Sequence, residues 1–200
     1  MRRSFLIGAA TWLVAGSLGA QDTFTSTASY SISIPSGDTR HFVTTPSWFG
    51  VNWDGSWMLT GSTSAGVAFG VQDFRDVSFG TTNFPAGAAT GQQVRDLLVV
   101  TAMGTARWFP FGVRLHRPFL GLGAGVVHAG QTFDLGVSEV RRNALHLAIA
   151  PEAGWQFPVF DGVAARVGAR YTFPTSNGGY VGGGSHHYPY ATFSIGLIER

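Results

Sequence analysis

The feature that most constrains this chain is a period-2 alternation of apolar with small or polar residues, repeated in stretches of about ten. Between 48 and 59, Phe49, Val51, Trp53, Gly55, Trp57 and Leu59 share one face, while Trp48, Gly50, Asn52, Asp54, Ser56 and Met58 share the other. Between 145 and 157, Leu145, Leu147, Ile149, Pro151, Ala153, Trp155 and Phe157 oppose His146, Ala148, Ala150, Glu152, Gly154 and Gln156. Val163, Ala165, Val167, Ala169, Tyr171 and Phe173 then oppose Ala164, Arg166, Gly168, Arg170 and Thr172. Strands with two such different faces stand between an apolar medium and something else.

Similar alternation runs through 120–126 and 190–197, and more weakly through 24–34 and 65–74. The stretch 94–109 is apolar on both faces at its centre, which leaves its phase open. The pattern predicts about eight strands of the length a tilted strand needs to cross a bilayer. Long connections are expected near 35–47, 75–93, 134–143 and 174–187, and short ones near 60–64, 109–117 and 158–162. Long loops at one end and short turns at the other suit a closed antiparallel up-and-down transmembrane barrel, with both termini at the short-turn, periplasmic side. No internal repeat or domain linker is visible.

Composition agrees. Only 12% of residues are charged, while 44% are hydrophobic and 28 are glycine. A soluble domain of that composition would lack a charged coat. All 13 basic residues are Arg, and without Arg2 and Arg3 the remaining 11 balance 11 acidic residues. No basic run of the kind nucleic-acid binding needs is present. The absence of cysteine excludes disulfides, thiolate-bound zinc and thiol catalysis.

Residues 1–20 begin Met-Arg-Arg, continue with a short apolar stretch to Leu18 and end on Gly19-Ala20. This reads as a cleaved secretory signal peptide, leaving 21–200 as the barrel domain. No later segment holds the roughly 20 apolar residues of a membrane helix.

A soluble barrel with a ligand cavity would turn the apolar faces inward. That would expose Gly, Ala and Ser and crowd Trp and Phe rings into the lumen. The reverse facing is easier: apolar side chains meet lipid, and Gly, Ser and paired charges fill a narrow interior. Trp48, Trp57, Trp108, Trp155 and Tyr171 then fall near strand ends, where aromatic girdles sit.

Several stretches carry a resemblance. They are Arg107-Trp108-Phe109-Pro110-Phe111, Arg117-Pro118-Phe119-Leu120-Gly121-Leu122-Gly123-Ala124-Gly125, Ala150-Pro151-Glu152-Ala153-Gly154, Phe157-Pro158-Val159-Phe160-Asp161-Gly162-Val163-Ala164, Arg170-Tyr171-Thr172-Phe173 and Thr192-Phe193-Ser194-Ile195-Gly196-Leu197. In these the chain resembles the outer-membrane β-barrel domain family, the small OmpA- and OmpX-like barrels. The resemblance implies an eight-stranded barrel in a bacterial outer membrane, inserted by the barrel-assembly machinery. It implies no single activity. One departure is the final stretch Leu197-Ile198-Glu199-Arg200, which lacks the closing aromatic usual in such chains.

Candidate sites are few. His186-His187 beside Gly182-Gly183-Gly184-Ser185 is a poor chelate, because neighbouring residues in a strand point to opposite faces. No metal or cofactor is expected. His146 points inward and could be a general base, but no Ser-His spacing suggests a hydrolase. Asp54, Arg107, Glu152, Arg166 and Arg170 are the expected lumen charges. With the 157–162 turn centred near Phe160, Glu152 lies opposite Gly168 and diagonal to Arg166 and Arg170, close enough to pair. These residues either line a narrow pore or fill the barrel core as ion pairs. The reading favoured here is a monomeric, non-enzymatic outer-membrane barrel with a structural or surface-loop role. A narrow channel for water, ions or small solutes is the alternative, and a lipid-modifying enzyme the third reading.

Overall fold

The structure is a computed structural model that describes residues 24–84, 87–112, 116–135, 138–160, 162–175 and 188–199. The expected signal peptide, the Gly182–Gly184 run and the His186-His187 pair lie outside these residues. Eight strands follow one another: β1 (Phe24–Pro35), β2 (Ser47–Thr60), β3 (Thr63–Phe84), β4 (Gly87–Trp108), β5 (Arg117–Leu135), β6 (Ser138–Phe160), β7 (Val163–Pro174) and β8 (Tyr190–Glu199). A one-turn helix, α1 (Thr39–Phe42), lies between β1 and β2. Each strand pairs antiparallel with the next and β8 pairs with β1, so the sheet closes into a barrel with no free edge at its waist.

The alternation in the sequence becomes inside and outside. Leu145, Leu147 and Ile149 are exposed, while His146, Ala148 and Ala150 are buried. The same holds on β2, where Val51 and Trp57 face out and Asp54 and Ser56 face in. Trp57, Trp108 and Trp155 point outward towards the short-turn end, and Trp48 and Phe49 point outward near the other. The outer surface is therefore an apolar belt edged by aromatics, as lipid contact requires. The phase of β4 is now fixed: Leu97 and Val99 face the lumen, and Leu98 and Val100 face out.

Short turns at the end holding Phe24 and Glu199 join β2 to β3 and β6 to β7. The first is knitted by Thr60, whose Oγ1 accepts from the backbone N–H groups of Ser62 at 3.2 Å and Thr63 at 3.1 Å. Such local acceptance is a turn device of Ser and Thr. The second passes through Gly162 at φ 77°, which a side chain would resist.

The opposite end corrects the sequence reading. Long loops were expected at 75–93 and 134–143. Instead β3 and β4 pair continuously from Thr63↔Trp108 to Phe84↔Gly87, and β5 and β6 pair up to Leu135↔Ser138. The cause is that Thr, Val and Phe favour extended backbone whether or not lipid demands an apolar face. Thr81 and Thr90 even bond across the ladder at 2.7 Å. Above the belt the apolar rhythm fades, and the sequence signal fades with it.

Glycines shape the closure. A Cβ on Gly125 would collide with the Ala102 carbonyl oxygen and the Met103 Cα of the neighbouring strand, both backbone atoms. The two strands can approach and coil there only without a side chain. We expect Gly125→Val to cost about 1–3 kcal/mol, read as a lower urea midpoint of the refolded protein in detergent.

Candidate functional site

The lumen is filled in layers. Deepest towards the short turns, Phe119 and Phe109 pack with ring centroids 6.0 Å apart. Next lies a charged layer. Arg107 on β4 donates from Nη1 to Asp54 Oδ1 at 2.7 Å, from Nη2 to Asp54 Oδ2, and from Nε to Glu152 Oε1. Arg170 donates to Glu152 Oε2 from Nη2 at 2.6 Å and from Nε at 3.1 Å. Arg166 stands farther off, with its terminal nitrogens 3.5 Å from Asp54 Oδ1 and from Glu152 Oε2. The structure thus brings together all five residues singled out as lumen charges.

Register explains how they meet. Arg107, Gly121, Glu152 and Arg170 form one row across β4, β5, β6 and β7. Gly121 is the gap in that row: a Cβ there would stand 2.8 Å from Glu152 Oε1. Arg107 reaches Glu152 across the space that the missing side chain leaves. This corrects the expected hairpin register. Glu152 lies opposite Arg170, and Gly168 lies opposite Gly154. The ladder from Ile149↔Phe173 to Pro158↔Ala164 centres one residue later than assumed. A one-residue shift of centre moves the partner by two and keeps the face.

Sequence reasoning missed Phe119. Arg107 and Arg166 both lie over its ring, with guanidinium carbons 5.7 Å and 4.6 Å from the centroid. A ring between two cations screens them and contributes favourable cation–π contact. The signal was available: Phe119 shares its face with Gly121, Gly123 and Gly125, which leave room for a large ring.

Above the charges is a neutral hydrogen-bonded layer. Gln72 Nε2 donates to Ser31 Oγ at 2.9 Å, Asn52 Nδ2 donates to the same oxygen at 2.8 Å, and Ser33 Oγ donates to Gln72 Oε1 at 3.0 Å. A cavity of about 30 Å³ lies between these two layers, lined in part by Asn52, Gln72, Glu152, Arg166, Arg170 and Thr192.

The next layer is a second departure from expectation, since the interior was taken to hold only Gly, Ser and charges. Phe42 and Val43 descend from the α1 loop and pack among Phe74, Leu97, Val99, Val127 and Tyr190, all buried. These apolar lumen residues are why β4 is apolar on both faces. The loop is tied to β3: Thr44 donates to Asp76 Oδ2 from N at 3.0 Å and from Oγ1 at 2.7 Å.

Asp76 sits past Asp73 and Arg75, where the apolar belt of β3 ends. Partial burial pushes its carboxyl up, but the two Thr44 hydrogen bonds and the Arg95 charge outweigh that and hold it below its ordinary value of 3.8. A depressed carboxyl contributes stability above the unfolded value and loses it as pH falls through the folded one. The loop should therefore stay docked at neutral pH and loosen only below pH 3.8. Asp76→Ala should loosen it at every pH, read as protease cleavage between Ser36 and Ser47. Equal resistance of the variant and the parent would refute the tether.

His146 lies in the lumen, buried, with Nδ1 3.0 Å from the Thr175 carbonyl oxygen and its ring 4.9 Å from that of Tyr188. No group of three or more metal-ligating side chains occurs among the described residues.

No protein-family model matches the sequence, and no curated protein matches it. Solved structures do match in shape. Neisserial surface protein A aligns with a TM-score of 0.53 at 13% identity, over 88% of this chain and 95% of that one. Ail, the attachment invasion locus protein of Yersinia pestis, aligns at 0.50 and 12%, again over 88% and 95%. OprG of Pseudomonas aeruginosa aligns at 0.50 and 13% with the same coverage. At such identities the likeness concerns shape, and it agrees with the closed eight-strand topology. The fold of this chain is that of the small outer-membrane β-barrels.

Proposed function

We propose that the chain is a non-enzymatic outer-membrane barrel that acts at the cell surface through the part of β3–β6 that stands clear of the membrane. One observation carries this reading. β2 stops pairing with β3 at Phe49↔Asp73 and β7 stops pairing with β6 at Ala148↔Pro174, yet β3, β4, β5 and β6 continue. Among the described residues they form a four-stranded sheet with two open edges, β3 beyond Phe74 and β6 before Leu147. Its outer face exposes Val77 and Phe79, the latter 79% exposed. Open edges and exposed rings are what a partner strand or surface would engage. The termini lie at the short-turn end, which in such barrels faces the periplasm, so the sheet faces outward.

The channel reading draws only on the cavity. The charged layer closes it on one side and the Phe42–Val43 plug on the other, so planar bilayers holding the refolded barrel should show no conductance steps. Steady unitary currents would revive the channel. The enzyme reading rests on His146, whose Nδ1 meets the Thr175 backbone carbonyl oxygen and not a hydroxyl.

The decisive experiment replaces residues 78–93 with an Asn-Gly turn, which closes the Val77↔Val94 pair as a two-residue hairpin. The trimmed barrel should still fold and migrate faster before boiling on a denaturing gel. In a deletion strain it should behave like the deletion, while the intact chain restores the phenotype. Full rescue by the trimmed form would overturn the surface role.

A further inference from the structure

The charged layer does not balance. Arg107, Arg166 and Arg170 supply three positive charges, and Asp54 and Glu152 supply two negative ones. Among the described residues, no further carboxylate pairs with these three guanidiniums. Arg107 and Arg170 hold both carboxylates at hydrogen-bond distance. Arg166 is the surplus cation. It is 8% exposed, and its Nε has no hydrogen-bond partner among the described residues. Its terminal nitrogens are 3.5 Å from the nearest carboxylate oxygens, longer than charge-assisted bonds run.

An uncompensated buried cation is costly. This one borders a lumen cavity of about 30 Å³, enough for roughly two water-sized particles. The cavity wall adds the Asn52 and Gln72 amides and the Thr192 hydroxyl as donors, beside the Asp54 and Glu152 carboxylates that the guanidiniums already hold, while the Thr101 and Ser194 hydroxyls turn to backbone carbonyls. We propose that the lumen cavity binds one small monovalent anion of halide size, held by Arg166 and Arg170 and sharing the space with water. The anion neutralises the layer, and the plug above it makes exchange slow. The cavity is too small for a phosphate ester or an organic carboxylate.

The test refolds the full barrel from urea into detergent with sodium bromide as its only halide and crystallises it. Anomalous scattering should show one bromide in the cavity, in contact with the Arg166 guanidinium. In Arg166→Gln, which balances the layer at two against two, that peak should vanish. A cavity holding only water at saturating bromide would overturn the proposal, and so would a peak of equal height in the variant. A solution measurement covers the case in which the variant does not crystallise. At constant ionic strength, replacing gluconate with bromide should raise the urea midpoint of the parent and leave that of Arg166→Gln unmoved. Equal responses would overturn the site.

Discussion

Glu152→Gln should destabilise the barrel by about 3–5 kcal/mol, the largest single-residue effect expected in the lumen. The substitution removes a charge that accepts from both Arg107 and Arg170. It leaves three guanidiniums around Asp54 alone, in a layer where the Glu152 side chain is only 3% exposed. Arg166→Gln makes the informative contrast. It deletes the least well-bonded cation and leaves two charges of each sign, so its main loss is the contact with Phe119, about 1–2 kcal/mol. Urea unfolding of the refolded proteins measures both. If the two variants cost the same, the asymmetry in the layer is illusory and the five charges act as loosely wetted pairs.

Ile195→Arg should cost about 2–4 kcal/mol, because it places a guanidinium at mid-height on the lipid face. Ile195 lies midway along β8, between Tyr30 and Val167 on the flanking strands, and is 59% exposed. The same exposed position would tolerate arginine readily if it faced water. The measurement is therefore made twice, as folding into vesicles and as urea midpoint in the same lipid. A change of less than about 0.5 kcal/mol, typical of a watery surface site, would mean the apolar belt is not in lipid.

The waist of the barrel was legible in the sequence because lipid and lumen impose opposite demands on successive residues. On β2, β6 and β7 that demand wrote itself as strict alternation, down to the inward Asp54, Glu152, Arg166 and Arg170. Three things were harder to read. The upper halves of β3–β6 meet neither lipid nor core on a fixed face, so Gly, Thr and Asn there resemble a loop although their backbones pair. The register of the β6–β7 hairpin depended on where the turn centres, which no periodicity encodes. The Phe42–Val43 plug is a non-local event, since nothing in the short α1 segment announces which lumen wall will bury it. Its trace was the doubled apolarity of Leu97–Val100, visible in advance but open to two phases.

The unequal strand lengths also bear on the order in which the barrel assembles. β3 and β4 share twenty-two paired positions across a two-residue connection, from Thr63↔Trp108 to Phe84↔Gly87. The seam that closes the ring joins residues near opposite ends of the chain, such as Tyr30↔Ile195, through only ten pairs. Local ladders form at little loop-closure cost, whereas a distant seam waits until the intervening strands are in place. The long hairpin is thus the natural nucleus, and β1–β8 zippering the last step. Closure also traps whatever the lumen holds, because the Ser33–Thr192 hydroxyl bond that spans the seam forms only when the ring shuts.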